Sequence, residues 1–152
     1  MSRASGKFAT AVHALAVMSL SEDWTQSDDL AAAMGSQASH LRALISKLAR
    51  ANIVESREGR HGGYRLARPA QRIRLSEVYD SIEGDDLLAS STAQPAKECP
   101  VGGGMRAAFD EVGCLARQAV VAALRDQTIA DVARRAHTLN GRPVPPPGFR
   151  IP

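Results

Sequence analysis

Between Gln37 and His61 the chain sets out two groups of side chains suited to nucleic acid: Gln37, Ser39, His40 and Arg42, then Arg57, Arg60 and His61. The first group opens a helical pattern, Ser36 to Arg50, whose apolar face is Leu41, Leu44, Ile45 and Leu48. A guanidinium on such a helix bonds the guanine edge through two parallel hydrogen bonds, and a carboxamide does the same for adenine. Arg42 and Gln37 are the candidates for those roles. Contact with phosphate alone stays equally open for Arg42, Ser39 and His40. The second group sits in the turn Glu58-Gly59-Arg60-His61-Gly62-Gly63, between the short strand patterns ending at Arg57 and starting near Tyr64. Gly59, Gly62 and Gly63 permit a tight turn with positive φ and a close backbone approach to DNA. Tyr64 reads as core of this ribbon.

Charge points to the same partner. Residues 36 to 74 hold nine Lys or Arg against two acids, a local balance of +7, whereas the whole chain is +3 and the remainder therefore −4. Basic charge gathered on one surface is what a phosphate backbone selects. Aromatic residues make up only 4% of the chain, which argues against stacking platforms for single strands. Nothing here suggests an enzyme: there is no nucleophile with a base and no metal constellation, and Gly102-Gly103-Gly104 lacks the Lys-Ser/Thr of a phosphate loop. The first apolar run, Phe8 to Leu20, contains His13, has no cleavage signature after it and is too short to span a bilayer.

The elements that must position these groups are mostly helical. Gly6 to Ser21 has helical apolar spacing through Phe8, Val12, Leu15 and Leu20. Thr25 and Asp28 stand at the offset of a capping box for a second helix, which covers Leu30 to Met34 and stops at Gly35. Ser36 is the expected cap of the helix that follows. Two helices joined by a tight Gly-containing turn, the second one basic, form the helix-turn-helix pattern. Ile73 to Glu83 reads as a strand end and helix, Ala89 to Glu98 as a loop, and Pro100 or Val101 to Arg125 as a long helix. On that helix Met105, Ala108, Phe109, Val112, Leu115, Ala116, Ala119, Val120 and Ala123 share one stripe. The stripe exceeds what so small a domain needs for itself; a second copy is its simplest partner, an intramolecular face the alternative. Thr128 to Leu139 is a last helix. The expected division is a DNA-binding winged helix-turn-helix over 1–88, a loop over 89–98, a dimerisation region over 99–139 and a Pro-rich tail over 140–152. The fold class is mainly α with a small β-wing.

These residues resemble the Rrf2 family of bacterial transcriptional regulators. The likeness runs through Lys7 to Leu20, Gly35-Ser-Gln-Ala-Ser-His-Leu-Arg-Ala-Leu-Ile, the wing Gly59-Arg-His-Gly-Gly-Tyr-Arg-Leu-Ala and Ile73-Arg-Leu-Ser-Glu-Val-Tyr-Asp-Ser-Ile-Glu-Gly. It continues into Cys99-Pro-Val-Gly, the long helix and Gln127-Thr-Ile-Ala-Asp-Val, so it covers nearly everything from 6 to about 135. The resemblance implies a cytoplasmic homodimer with crossing long helices that binds a palindromic operator in double-stranded DNA. It also implies sensing of iron–sulfur status, nitric oxide or oxidants in many members. One departure stands out: where cluster-sensing relatives carry a groove-reading Arg, this chain has Glu58, with Arg57 or Arg60 as the substitutes.

Relatives that hold a cluster usually show three cysteines before the long helix, and here only Cys99 lies in that loop, with Cys114 inside the helix. A cluster ligated by Cys takes about four donors. A mixed site would have to combine Cys99 with His13 of a partner's first helix, and the neighbouring positions, Ala9 and Ala93, cannot ligate. His13 reads more simply as a core or interface histidine. A thiol switch is the better-supported role: Pro100 as first helical residue would put Cys99 at a helix N-terminus near Lys97, which favours the thiolate. Cys114 projects roughly 200° from Val112 around the helix, at ~100° per residue. A Cys99–Cys114 bond would span about 20 Å of intact helix, against a Cα limit of about 7 Å. Bonds between subunits, or sulfenic acid on Cys99, are the workable forms, and two inert cysteines the alternative. The leading expectation is a homodimeric repressor without a cofactor, possible redox control resting on Cys99. A cluster-sensing regulator and a winged-helix interaction module without DNA binding are the competing readings.

Overall fold

In the computed structural model the described residues are 6–84, 88 and 94–143. Their order is α1 (Gly6–Met18), α2 (Ser27–Met34), α3 (Ala38–Arg50), β1 (Val54–Arg57), β2 (Gly63–Leu66), a 3-10 turn (Ala70–Arg72), α4 (Leu75–Glu83), α5 (Gly102–Leu124) and α6 (Ile129–Asn140). The two strands pair antiparallel with Val54 opposite Leu66 and Arg57 opposite Gly63. This is the expected mainly helical fold with a small wing. Residues 89–93 of the expected loop, Ala93 among them, and 144–152 of the expected tail lie outside the described residues.

One core joins the helices. Ala11, Leu15 and Met18 of α1 meet Leu30 of α2, Leu41, Ile45 and Leu48 of α3, and Val78 and Ile82 of α4, all buried. Burying a Leu or Ile side chain stabilises by about 1.5–3 kcal/mol, so this cluster fixes how α3 sits against its neighbours. Ile129, at the start of α6, is fully buried in the same core. The chain returns there after α5 through a short bridge: Leu75 N–H donates to Gln127 O and Ile129 N–H to Ile73 O, both at 2.9 Å. Thr128 and Asp131 cap α6 reciprocally, and the bonds from the Thr128 hydroxyl and N–H hold the Asp131 carboxyl below the usual carboxylate range.

Three local expectations are corrected. Thr25 does not cap α2 in a box with Asp28: Thr25 is buried and exchanges two backbone hydrogen bonds of 2.8 Å with Tyr64, so its peptide serves the wing and α2 starts at Ser27. Ser36 does not cap α3, whose N-cap position is Gln37. Gly35 does end α2 in a left-handed conformation (φ 57°), and the Ser36 N–H completes that stop by donating to Ala31 O. Pro100 does not open α5, which begins at Gly102 after Val101, its N-cap residue.

Candidate nucleic-acid interface

The candidate surface starts from α3. Its buried side is Leu41, Leu44, Ile45 and Leu48, and the period of 3.6 residues turns Ser39, His40, Arg42 and Ser46 outward. Gln37, Ser39, His40 and Arg42 are all exposed. They occupy the N-terminal half of α3, where unpaired N–H groups and the helix dipole favour anions.

The wing stands beside this helix. Gly62 N–H donates to Gly59 O at 3.0 Å, which closes the turn, and Arg60 and His61 project from it exposed. Gly59 and Gly63 adopt φ of 103° and 137°, a region open to Gly. Gly62 is needed for a different reason: a Cβ there would run into the Arg57 carbonyl. Between α3 and the wing runs an open groove of about 460 Å³, lined by Arg42, Ser46 and Ala49 on one side and by Ser56 through Gly59, Gly62 and Tyr64 on the other. Thus the structure brings Arg42 and the wing turn together. Ser46 and Gln26, which also line the groove, were missed by the sequence reading. Ser46 follows Arg42 by one helical turn, a spacing that would have found it. Glu58 lies on the groove as well and sets a carboxylate among its cations.

Not all the basic charge is available. Arg65 bonds Glu55 and Arg68 bonds Glu77, each at 2.7 Å, and the Lys47 ammonium donates to Ile82 O at 3.1 Å. Arg42, Arg57 and Arg60 have no ion pair among the described residues. Arg57 instead lies over the Trp24 ring at 5.9 Å, with Arg65 nearer at 4.6 Å.

His13 is exposed on α1 rather than in the core, so its reading as a core histidine is corrected; the apolar neighbours Ala14 and Leu15 point the other way. Cys99 is half-buried and Cys114 exposed, and both are free. Cys99 lies in the turn before α5, its carbonyl accepting from Gly102 N–H at 3.2 Å. Cys99 therefore stands three residues before the first residue of α5, ahead of the N-cap Val101. Cys114 sits about 18 Å along α5 from its first residue, at roughly 1.5 Å per residue. Among the described residues no three His, Cys, Asp or Glu side chains come together in a way that would hold a metal ion. Among the described residues, one half-buried thiol, one exposed thiol and an exposed imidazole do not make a donor set that fits a resident iron or iron–sulfur group.

Among the described residues no helix is long and apolar enough to cross a membrane. A family model described as "Rrf2: Iron-dependent Transcriptional regulator" matches residues 4–135. A helix-turn-helix-type transcriptional regulator of Mycobacterium tuberculosis is 35% identical over 133 residues, covering 86% of this chain and 81% of that protein. The crystal structure of a protein described as DNA-binding superposes with a TM-score of 0.65 at 29% identity, over 83% of this chain and 97% of the other. The global cysteine regulator CymR of Bacillus subtilis shares the fold, with a TM-score of 0.61 at 22% identity over 89% of this chain and 98% of its own. A winged helix-turn-helix with an outward basic helix, matched over almost its whole described length, thus leads to one conclusion: this chain belongs to the Rrf2 family of transcriptional regulators.

Proposed function

We propose that this protein is a homodimer that binds a palindromic operator in double-stranded DNA and represses by occupying it, without catalysing a reaction. The observation that supports this most is the shared groove: un-neutralised Arg42 on α3 faces the wing turn bearing Arg60 and His61. A helix fits the major groove, and a basic turn beside it reaches the flanking backbone or minor groove. In this reading residues 1–88 form the reading head, α6 braces it through Ile129, and α5 is the dimerisation element. The proposed DNA contacts are Gln37, Ser39, His40 and Arg42 from α3, with Arg57, Arg60 and His61 from the wing. A nucleoid-associated, cytoplasmic location follows from that role.

Arg42→Ala should change which sequences are preferred, costing about 1–3 kcal/mol at one operator position. Arg60→Ala should weaken binding to all duplexes alike and reduce the slope of log K against log salt by about one. Equal losses for both variants on every duplex would remove the distinction. Affinity indifferent to salt would favour an interaction module instead.

Redox control belongs to the same proposal. A Cβ on Gly102 would come within 3.1 Å of Cys99 Cβ and 2.5 Å of Pro95 Cβ, so the turn holding the thiol is packed tightly onto the start of α5. Peroxide converting the Cys99 thiol to sulfenic acid, with release of water, adds an oxygen where little room exists. Cys99→Ser should abolish any loss of DNA binding caused by peroxide, measured by anisotropy before and after treatment. Retained sensitivity in that variant would move the role to Cys114 or exclude it.

A further inference from the structure

The connection between α1 and α2 grips the wing with three consecutive residues. Thr25 pairs with Tyr64 through the backbone, and the Gln26 side chain donates to Arg60 O at 3.5 Å. Trp24, the one tryptophan in the chain, lies against Arg57 and Arg65. Strand alternation places Glu55 and Arg57 on one face of β1, and Arg65 is the cross-strand partner of Glu55. The two arginines on this face are held differently. Arg65 is close to the ring and also bonded to Glu55 at 2.7 Å, so its charge is neutralised where it stands. Among the described residues Arg57 has the ring alone.

A carboxylate would orient a guanidinium but cancel its charge and compete with phosphate for it. An aromatic face orients the cation through its quadrupole and leaves the positive charge whole. We propose that Trp24 is a positioning residue for DNA binding: its indole steadies Arg57 as an un-neutralised cation at the end of β1 where the wing turn begins, next to Glu58, whose charge opposes phosphate. The inference rests on the reading of the wing as a DNA-contacting element. At 5.9 Å the guanidinium is near the outer limit of about 6 Å for such contacts, so phosphate can draw it from the ring at small cost. Holding the side chain beforehand reduces the freedom lost on binding.

The test is a double-mutant cycle on the full chain, read by anisotropy of a labelled 30-base-pair duplex from its own upstream DNA and of a scrambled duplex, across a salt series. Trp24→Leu should weaken binding about two- to five-fold, the range of an exposed cation–π contact, and leave the salt slope unchanged because Arg57 keeps its charge. Arg57→Ala should weaken binding more and lower the slope by about one. The double variant should bind like Arg57→Ala alone, since nothing remains for the ring to hold. Trp24→Phe, which keeps a ring, should recover about half of the loss and serves if Trp24→Leu unfolds early in a thermal melt. Additive losses in the cycle, or a Trp24→Leu protein that binds like the parent, overturn the positioning role while leaving the regulator reading intact. Failure of the unaltered protein to bind either duplex at low salt sinks both.

Discussion

Glutamate at Val112 is expected to turn a dimer into monomers and to lower affinity for a two-half-site duplex by about 100-fold or more, the usual gain from linking two binding modules. The reason lies in what α5 leaves uncovered. The helix has no fully buried residue, and Met105, Phe109, Val112 and Leu115 are 54%, 39%, 51% and 66% exposed. An apolar row of that length along a 23-residue helix is unusual on a monomer and is the surface the proposed dimer would bury. A twofold arrangement uses the same patch of both subunits, so a single substitution introduces two charges into one interface. Burying an unpaired carboxylate there costs several kcal/mol, more than one Val side chain contributes. The reading head should survive, because α5 stays attached to α4 through the 2.7 Å Arg117–Asp80 pair and the core lies elsewhere. Sedimentation with a thermal melt and a DNA titration checks all three statements. A Val112→Glu protein that stays dimeric, or a monomer that binds the full operator as tightly as the parent, would refute the proposed assembly.

Gly63→Ala should destabilise the protein by more than about 2 kcal/mol and remove DNA binding before the helices unfold. Gly63 has φ of 137°, where an L side chain is strained by about 1–3 kcal/mol. A Cβ at this position would also run into the carbonyl of Thr25 and approach Gln26 N to 3.1 Å. That carbonyl accepts the Tyr64 N–H, so the substitution breaks the bridge joining the wing to the α1–α2 connection. Leaving those buried peptide groups unpaired adds about 1–3 kcal/mol. The helical core around Leu15, Ile45 and Val78 is not touched by the change. Urea unfolding followed by far-ultraviolet circular dichroism, beside a DNA titration, is the direct measurement. Unchanged stability with unchanged binding would show that the wing does not depend on this bridge. Gly59→Ala is the control, since a Cβ there meets nothing within 4 Å and the change carries only its φ of 103°.

Much of the architecture was legible because its causes are short-range. The apolar spacing of Leu41, Leu44, Ile45 and Leu48 describes a helix with one buried side, and that side is buried in the fold. Gly35 ends α2 as its residue type suggests, and the Gly-rich turn closes the hairpin between Arg57 and Gly63. The long bare stripe on α5 could be read from its period alone. Thr25, Ser36 and Pro100 misled for a shared reason. Each has the residue type of a local cap or helix start, but neighbouring groups claimed its position: Tyr64 for Thr25, the Ala31 carbonyl for Ser36, and the turn ending at Val101 for Pro100.

Determined by sequence alone were the helices, the wing and the sign of the charge they carry, since propensity, capping and periodicity act within a few residues. Tertiary structure decided which of the nine cations between 36 and 74 stay un-neutralised and where the chain closes on itself. Arg68 meets Glu77, Trp24 meets Arg57 across the hairpin, and Thr128 returns to Arg74 only after α5 has been traversed. No local rule encodes those meetings. They exist because one buried core draws α1, α3, α4 and the start of α6 together, and the surface charges are then paired or left bare by where that packing sets them down.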